Sequence, residues 1–320
     1  MTKTLAYVET EGGPFILLPE RVAEHWRGAP VDYPRACAFE GVVGVVDVGG
    51  AQALVLGRAE VTAWSPLVDG GVFVQRIFGD DARIRAIVDD QASLPWASTS
   101  APLTVGAGGL QLFDSALVRS SVDDDGRLPV ELAPGIYEVN QVTCRPDPKV
   151  DIELVRLRRL WLPAGERPFV FLPAELASGW KGCNGSDVDA EISDLDRADP
   201  IGEGVGVLAV PGAQALVLGC AAATTWVPFD DGGVLVQRRE GAVAAVEAAL
   251  FQIAALSFTA VPGTLRATTA LVGFDAALEI SEPAGAQKLT VPLVAGDYAV
   301  AIAERQADGV DLGLIRLRAI

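Results

Sequence analysis

The chain has 320 residues, of which 50% are hydrophobic, and its 25 Lys and Arg residues against 42 Asp and Glu residues give a formal net charge of −17. A chain this apolar is not a disordered acidic tail, and it is long enough for one large domain or two ordinary ones. The negative charge argues against binding to nucleic acid or to an anionic membrane, because phosphate groups would repel it. A basic partner is favoured instead.

Targeting and redox signals are weak. The N-terminal segment has no apolar stretch followed by a small-residue cleavage site, so no signal peptide is predicted. The longest apolar stretch, residues 248–262, is interrupted by polar residues and is shorter than the ~18–20 residues that span a bilayer. The four cysteines are widely spaced without a CxxC pair, which is typical of reduced thiols. We therefore expect a cytoplasmic protein that does not associate with a membrane.

The chain contains an internal duplication. Residues 50–76 (GAQALVLGRAEVTAWSPLVDGGVFVQR) align without a gap on residues 212–238 (GAQALVLGCAAATTWVPFDDGGVLVQR), with 19 of 27 positions identical at an offset of 162. Flanking matches extend the alignment in both directions. We therefore predict two homologous units, residues 1–159 and 160–320, with almost no linker between them.

In chain order, each unit is expected to begin with an apolar strand, Phe15–Leu18 or Phe169–Leu172, that leads into a short helix opened by Pro19 or Pro173. A second helix is expected at 80–88 in unit one and at 241–250 in unit two. The β-rich segments expected in unit one are Val42–Val48, Ala51–Leu56, Val72–Phe78, Pro95–Ser98, Leu110–Phe113, Leu128–Leu132, Ile136–Thr143 and Ile152–Arg158. The predicted class is strand-rich α+β, as two repeats of mostly antiparallel short strands with one or two short helices each.

The common catalytic signatures are absent from the sequence. The single histidine, His25, rules out HExxH and multi-histidine metal sites, and neither a phosphate-binding loop nor a GxSxG elbow occurs. Gly202, Gly204 and Gly206 lack the spacing of a dinucleotide-binding fingerprint. We therefore predict no enzymatic activity, no catalytic residue, no metal site and no cofactor.

Two acidic clusters are candidate binding sites. The Asp-Asp-Asp-Gly sequence at 123–126 is typical of a turn between strands. Between 187 and 203 there are seven acidic residues and one basic residue, and the repeat offset rises from 154 at Trp180 to 162 at Gly212, which indicates an insertion of eight residues. A solvated loop and a docking surface for a basic partner are both consistent with this composition. The candidate docking residues are Asp187, Asp189, Glu191, Asp194, Asp196, Asp199, Asp123, Asp124 and Asp125.

Several residues recur in both copies, and such residues are more easily explained by the fold than by one binding site. Trp64 and Trp226 are expected to be anchors of the core or of the contact between the two units. Two further recurring residues, Arg76 and Arg238, are expected to pair with carboxylates such as Asp69 and Asp231.

A set of motifs in unit one is similar to those of a known family. These motifs are Glu9-Thr10-Glu11-Gly12-Gly13-Pro14-Phe15-Ile16-Leu17-Leu18-Pro19-Glu20, Trp26-x-Gly28, Asp32-Tyr33-x-Arg35-Ala36-Cys37, Ala53-Leu54-Val55-Leu56-Gly57, Thr62-Ala63-Trp64 and Gly135-x-Tyr137. In them the unit resembles the immunity protein 21 family, which accompanies bacterial polymorphic toxins. Unit two departs from the pattern, because Glu166-Arg167 replaces Gly12-Gly13 and the Asp-Tyr-x-Arg-Ala-Cys string has no counterpart in the alignment.

The resemblance implies a non-enzymatic immunity protein that binds and neutralises a cognate toxin domain in the cytoplasm of the producing cell. The charge adds the expectation that this toxin is basic. Two fused copies also suggest a monomer with pseudo-twofold repeats. Two alternatives stay open at this point, a duplicated module that binds a small molecule or glycan and a hydrolase that uses carboxylates.

Overall fold

The computed structural model describes residues 5–10, 12–39, 43–57, 61–99, 101–184, 193–220, 222–278, 288–307 and 309–320. The chain divides into two compact units, Met1–Arg159 and Leu160–Ile320. Each unit has its own sheets and its own hydrophobic clusters.

Unit one contains two antiparallel sheets. Its described strands are β1 (Tyr7–Val8), β2 (Phe15–Pro19), β3 (Val43–Val48), β4 (Ala51–Leu56), β5 (Val61–Leu67), β6 (Gly70–Phe78), β7 (Ala97–Ser98), β8 (Leu103–Val105), β9 (Leu110–Asp114), β10 (Arg127–Val130), β11 (Gly135–Cys144) and β12 (Asp151–Arg159). Sheet I has the order β10-β9-β2-β4-β3, and sheet II has the order β1-β5-β6-β12-β11-β7, with β8 also paired to β11. The α-helices are α1 (Tyr33–Cys37) and α2 (Asp81–Asp89), and short 3-10 turns lie at Glu20–His25, Gln91–Ser93 and Arg119–Ser121.

Unit two repeats this topology. Its described strands are β13 (Phe169–Pro173), β14 (Val205–Val210), β15 (Ala213–Leu218), β16 (Ala223–Phe229), β17 (Gly232–Glu240), β18 (Thr259–Ala267), β19 (Leu271–Asp275), β20 (Leu289–Val291), β21 (Gly296–Ala307) and β22 (Val310–Ala319). Its helices are α3 (Asp194–Ala198) and α4 (Val243–Leu250), with 3-10 turns at Ala177–Gly179, Gly182–Asn184, Asp199–Ile201 and Ile253–Ala255. Sheet I has the order β14-β15-β13-β19-β20, and sheet II has the order β16-β17-β22-β21-β18.

The core of unit one follows from the alternation of side chains along its strands. Phe15 and Leu17 of β2 join the cluster between the two sheets, whereas Ile16 and Leu18 join the cluster on the opposite face of sheet I. Successive residues of a strand point to opposite faces, so the uninterrupted apolar run of β2 indicates a strand buried on both sides. The outer face of sheet I is covered by the 3-10 turn and α1, through Trp26 among others. The outer face of sheet II is covered by α2.

The predicted strand-rich α+β class with two repeats is confirmed, and the pairings among the described strands are antiparallel. The second helix of each unit forms as α2 and α4, within two residues of the predicted start and one of the predicted end. The short helix after Pro19 is a 3-10 turn, and after Pro173 only Ala177–Gly179 has this conformation. The strand β5 and the helix α1 were not among the predicted elements.

A close approach between a tryptophan and a glycine explains why both recur. A Cβ atom at Gly233 would lie 2.3 Å from Cζ2 of Trp226 and 2.5 Å from the carbonyl oxygen of Val227. Trp226 is completely buried. Only glycine therefore leaves room for the ring at this position of sheet II.

We expect Gly233→Ala to destabilise unit two by about 1–3 kcal/mol, because overpacking forces the ring or the strand to move. Thermal denaturation of the full chain measures the effect. Gly179→Ala is the matched control, because a Cβ there meets no atom within 4 Å. Equal melting temperatures for the two variants would contradict the proposed packing.

Candidate functional site

The acidic segment of unit two is described from Ser193 onward. Asp187, Asp189 and Glu191 lie outside the described residues. Asp196 forms a capping box at the start of α3, where its carboxylate accepts hydrogen bonds from the backbone and the side chain of Ser193, at 3.2 and 2.8 Å. Asp199 is exposed and makes no side-chain contact with a described residue. Two acids of the predicted cluster, Asp194 and Asp196, therefore hold the local fold.

Asp194 has a counterpart in unit one. Its carboxylate accepts a hydrogen bond from the backbone N–H of Lys181 at 3.0 Å and contacts Arg197 at 3.4 Å. Arg197 also donates to the carbonyl of Ala209 at 2.6 Å. The carboxylate thus fixes α3 to the preceding turn and, through one arginine, to the end of β14.

Asp32 makes the same three connections at the start of α1. It accepts from the backbone N–H of Arg27 at 2.9 Å and contacts Arg35 at 3.2 Å, and Arg35 donates to the carbonyl of Asp47 at 2.8 Å. Unit two lacks the Asp-Tyr-x-Arg-Ala-Cys string, but a related segment makes the same contacts. Asp194-Leu195-Asp196-Arg197-Ala198 takes its place, and the extra residues precede it.

Asp32 is buried, and its ionisation is coupled to the fold. Burial by itself would raise the pKa of this carboxyl, but the hydrogen bonds from Arg27 and Arg35 outweigh it and hold the pKa below its ordinary value. Both units use this arrangement, so it belongs to the scaffold and not to one binding site.

The acidic turn of unit one lies immediately before β10. The carboxylate of Asp123 accepts a hydrogen bond from the N–H of Gly126 at 2.8 Å, and Asp124 pairs with Arg127. Asp125 is exposed and makes no side-chain contact with a described residue. The turn was predicted as a hairpin tip, but residues 115–126, which include the 3-10 turn Arg119–Ser121, connect β9 to β10. An Asx turn thus starts β10 after a long connection.

The recurring arginines do not pair with the carboxylates named for them. Arg76 pairs with a carboxylate, as expected, but this is Asp81 at 2.9 Å, and it also lies over the ring of Tyr7, with 4.4 Å from its guanidinium carbon to the ring centroid. Asp69 pairs with Arg158. In unit two Arg238 lies over Trp161, and Asp231 pairs with Arg316. The named partners were wrong because Asp69 lies in the turn before β6, whereas Arg76 lies near the far end of that strand.

The described residues show neither a metal-binding cluster nor a nucleophile placed beside the single histidine. Among them, no group of three or more His, Cys, Asp or Glu side chains could hold a metal ion. His25 is exposed, and its ring lies against the turn at Gly49.

Unit one contains a cavity of about 470 Å³ that the sequence did not indicate. It lies between α2, the end of β5 and the segment around β10. Its walls combine apolar surface with the charged side chains of α2 and of the segment after β10. The lining residues include Trp64, Pro66, Arg85, Val88, Asp89, Leu128 and Glu131. Residues 60 positions apart meet here, so no local sequence signal could have revealed the cavity.

The indole of Trp64 is a notable part of the cavity wall. It is half-buried, packs on Phe73 with 4.6 Å between ring centroids, and its buried Nε1 has no hydrogen-bond partner. Trp26 differs, because its Nε1 donates to the carbonyl of Ser115 at 2.8 Å. One side of the Trp64 ring therefore packs on the core, as expected, whereas the other side lines the cavity.

We expect Asp32→Asn to lower stability by about 1–3 kcal/mol at pH 7, because it weakens charge-assisted hydrogen bonds in a buried setting. A depressed folded-state pKa means that the ionised carboxylate stabilises the fold above the unfolded value of ~3.9, and this is lost as the pH falls through the folded value. Calorimetry should therefore show the deficit shrinking towards pH 3. Asp125→Asn should leave the melting temperature unchanged, and a deficit of Asp32→Asn that is independent of pH would contradict the assignment.

Comparison with known proteins agrees with the duplicated fold. The sequence model described as immunity protein 21 matches residues 6–150 and, separately, residues 160–310. No curated protein and no solved structure matches the chain. No helix among the described residues is long and apolar enough to cross a membrane. The two matches cover most of the chain, one in each unit, and the chain therefore belongs to the immunity protein 21 family, whose description supports a general role in toxin immunity.

Proposed function

We propose that this chain is a non-enzymatic inhibitor that binds a basic cognate toxin domain in the cytoplasm, as a monomer, and neutralises it through acidic surface residues. The observation that carries the proposal is the match of an immunity family to both units. The inhibitor contributes no bond-making group in this mechanism, since it acts by occupying the toxin surface.

The charge distribution supports a basic partner. The net charge is −17, and several exposed carboxylates have no Lys, Arg or His nitrogen within 4.0 Å among the described residues. These are Asp89, Asp125, Glu131, Glu166, Asp199, Glu203, Asp230 and Glu240. Carboxylates that are not neutralised within their own protein attract a cationic partner and orient its approach.

Within this proposal the acids have different roles. Asp194, Asp196, Asp123 and Asp124 are already held by partners of the same chain, so their contribution is long-range attraction. Asp125 and Asp199 are exposed and available for direct contact. Asp187, Asp189 and Glu191 complete the proposed docking set of unit two.

The inhibitor then neutralises the toxin by covering the surface that binds the substrate. Toxins that act on nucleic acid or on other anionic substrates present cationic surfaces, and an acidic protein competes for such a surface both by charge and by volume. Electrostatic attraction mainly raises the association rate constant, whereas close contacts determine how long the complex lasts.

The test is co-expression of the chain with the C-terminal domain of the protein encoded by the adjacent gene, scored by cell survival and co-purification. We expect rescue and a stable complex. Toxicity without rescue and without a complex would overturn the proposal for that pair.

Charge reversal then tests the acidic surface. We expect Asp199→Lys with Glu203→Lys to lower the association rate constant about tenfold at low salt, with a smaller effect at 0.5 M salt because of screening. The matched control is Glu166→Lys with Glu240→Lys, which changes the net charge equally elsewhere on unit two. Equal effects of the two double variants would show that the overall net charge determines the association rate constant, and that the segment containing Asp199 and Glu203 is not the docking surface.

A further inference from the structure

We propose that the cavity of unit one is an anchor pocket for one arginine or lysine side chain that projects from a loop of the toxin. The inference rests on the proposed function and deepens it, because it names the unit that makes the central contact and the chemistry of the group bound. Four observations support it: the walls, the charges, the unpaired guanidinium of Arg85 and the altered copy in unit two.

The walls suit the stem of a long basic side chain. Pro66, Val88 and Leu128 present apolar surface around a space of about 470 Å³. This volume exceeds that of a single basic side chain, so the backbone of the loop that carries it can enter as well. Arginine and lysine cover apolar surface with their methylene groups while their charged ends stay near water. The ring of Trp64 adds a face on which a cation binds favourably.

The charges select a cation. Asp89, near the end of α2, and Glu131, just after β10, are exposed and lack a basic partner among the described residues. A guanidinium placed between them can form paired hydrogen bonds with a carboxylate, and an ammonium can interact with both as a point charge. Arg85 is the opposing charge in the lining, so two carboxylates stand against one guanidinium.

Arg85 defines what accompanies the cation. It makes no ion pair with a described residue and lines the cavity. Its guanidinium is a donor, and a backbone carbonyl oxygen of an inserted loop is an acceptor for it. A basic side chain presented on a polypeptide therefore satisfies the pocket better than a free inorganic cation does.

Neither acid of the cavity has an acidic counterpart in unit two, although Glu247 stands where Arg85 does. Phe251 stands where Asp89 does, and Pro292 stands where Glu131 does. The ring equivalent to Trp64, that of Trp226, is completely buried. Its Nε1 also lacks a partner, so the orphan donor alone does not distinguish the units. The carboxylates and the half-buried ring of Trp64 do distinguish them, and they assign the anchor to unit one.

The acidic turn Asp123–Asp125 precedes the strand that lines the pocket. Asp125 therefore lies three residues before Leu128 along the chain. Attraction by such acids brings a basic surface towards unit one, and insertion of one side chain into the cavity then fixes it, as at the central contacts of other interfaces.

The first experiment uses the toxin complex described above. Asp89→Lys with Glu131→Lys should weaken the dissociation constant at least tenfold, mainly through faster dissociation. The matched control is Glu24→Lys with Asp47→Lys, which makes the same change in charge at exposed positions of the same unit and should alter affinity less than threefold. A complex that keeps its affinity with Asp89→Lys and Glu131→Lys would overturn the inference while leaving the proposed function intact.

The second experiment does not need the toxin. The side-chain indole signal of Trp64 is assigned in an NMR spectrum by its loss in Trp64→Phe, and the full chain is titrated with the peptide Ac-Gly-Arg-Gly-NH2. We expect a saturable shift in the wild type that disappears in Asp89→Asn with Glu131→Gln. No shift, or an equal shift with the norleucine peptide Ac-Gly-Nle-Gly-NH2, would overturn the assignment of a cation, and the latter would indicate a pocket for apolar small molecules.

Discussion

The burial of one short strand on both of its faces is the constraint on which each unit depends. In β2 and β13 every residue is buried, and in β2 neighbouring side chains enter two different clusters. Such a strand needs cover on both sides, which sheet II provides on one side. On the other side the cover is a 3-10 turn, a short helix and a tryptophan whose indole donates to a buried carbonyl, in Trp26 and in Trp180 alike.

The short helix is too small to be stable by itself, so its attachment requires specific polar contacts. One aspartate in each unit, Asp32 or Asp194, accepts a backbone N–H from the preceding turn and pairs with an arginine that reaches a carbonyl of the neighbouring strand. This role explains why part of the acidic segment is not free for binding. It also separates acids that maintain the fold from acids that can meet a partner.

The duplication preserved the scaffold but not every surface. Tryptophan, glycine and aspartate positions that organise the sheets recur with the same contacts, whereas the two acids that line the cavity in unit one, Asp89 and Glu131, are replaced by Phe251 and Pro292 in unit two. A tandem immunity protein of this kind can use one unit for a central contact and the charge of both for attraction. The two roles need different chemistry, since attraction acts over about a Debye length and anchoring acts at contact distance.

The sequence by itself determined the duplication, the strand-rich class, the second helix of each unit and the family resemblance. These features depend on local periodicity and on self-similarity, which are properties of the chain order. It also indicated most strands, such as Ala51–Leu56, within one or two residues. Apolar runs and paired glycines were sufficient to predict these strands, because an apolar run indicates burial and a pair of glycines indicates a tight turn.

Only the tertiary structure decided which charged side chains have partners within the chain and where a cavity opens. The partner of Asp69 comes from β12 and that of Arg76 from α2, and the equivalence of Asp32 with Asp194 was hidden by the insertion before α3. Asp89 and Glu131 are separated by about forty residues and line one cavity because α2, which packs on sheet II, and the segment after β10 of sheet I both reach it. Such contacts depend on register and packing between distant segments, and no local pattern in the chain encodes them.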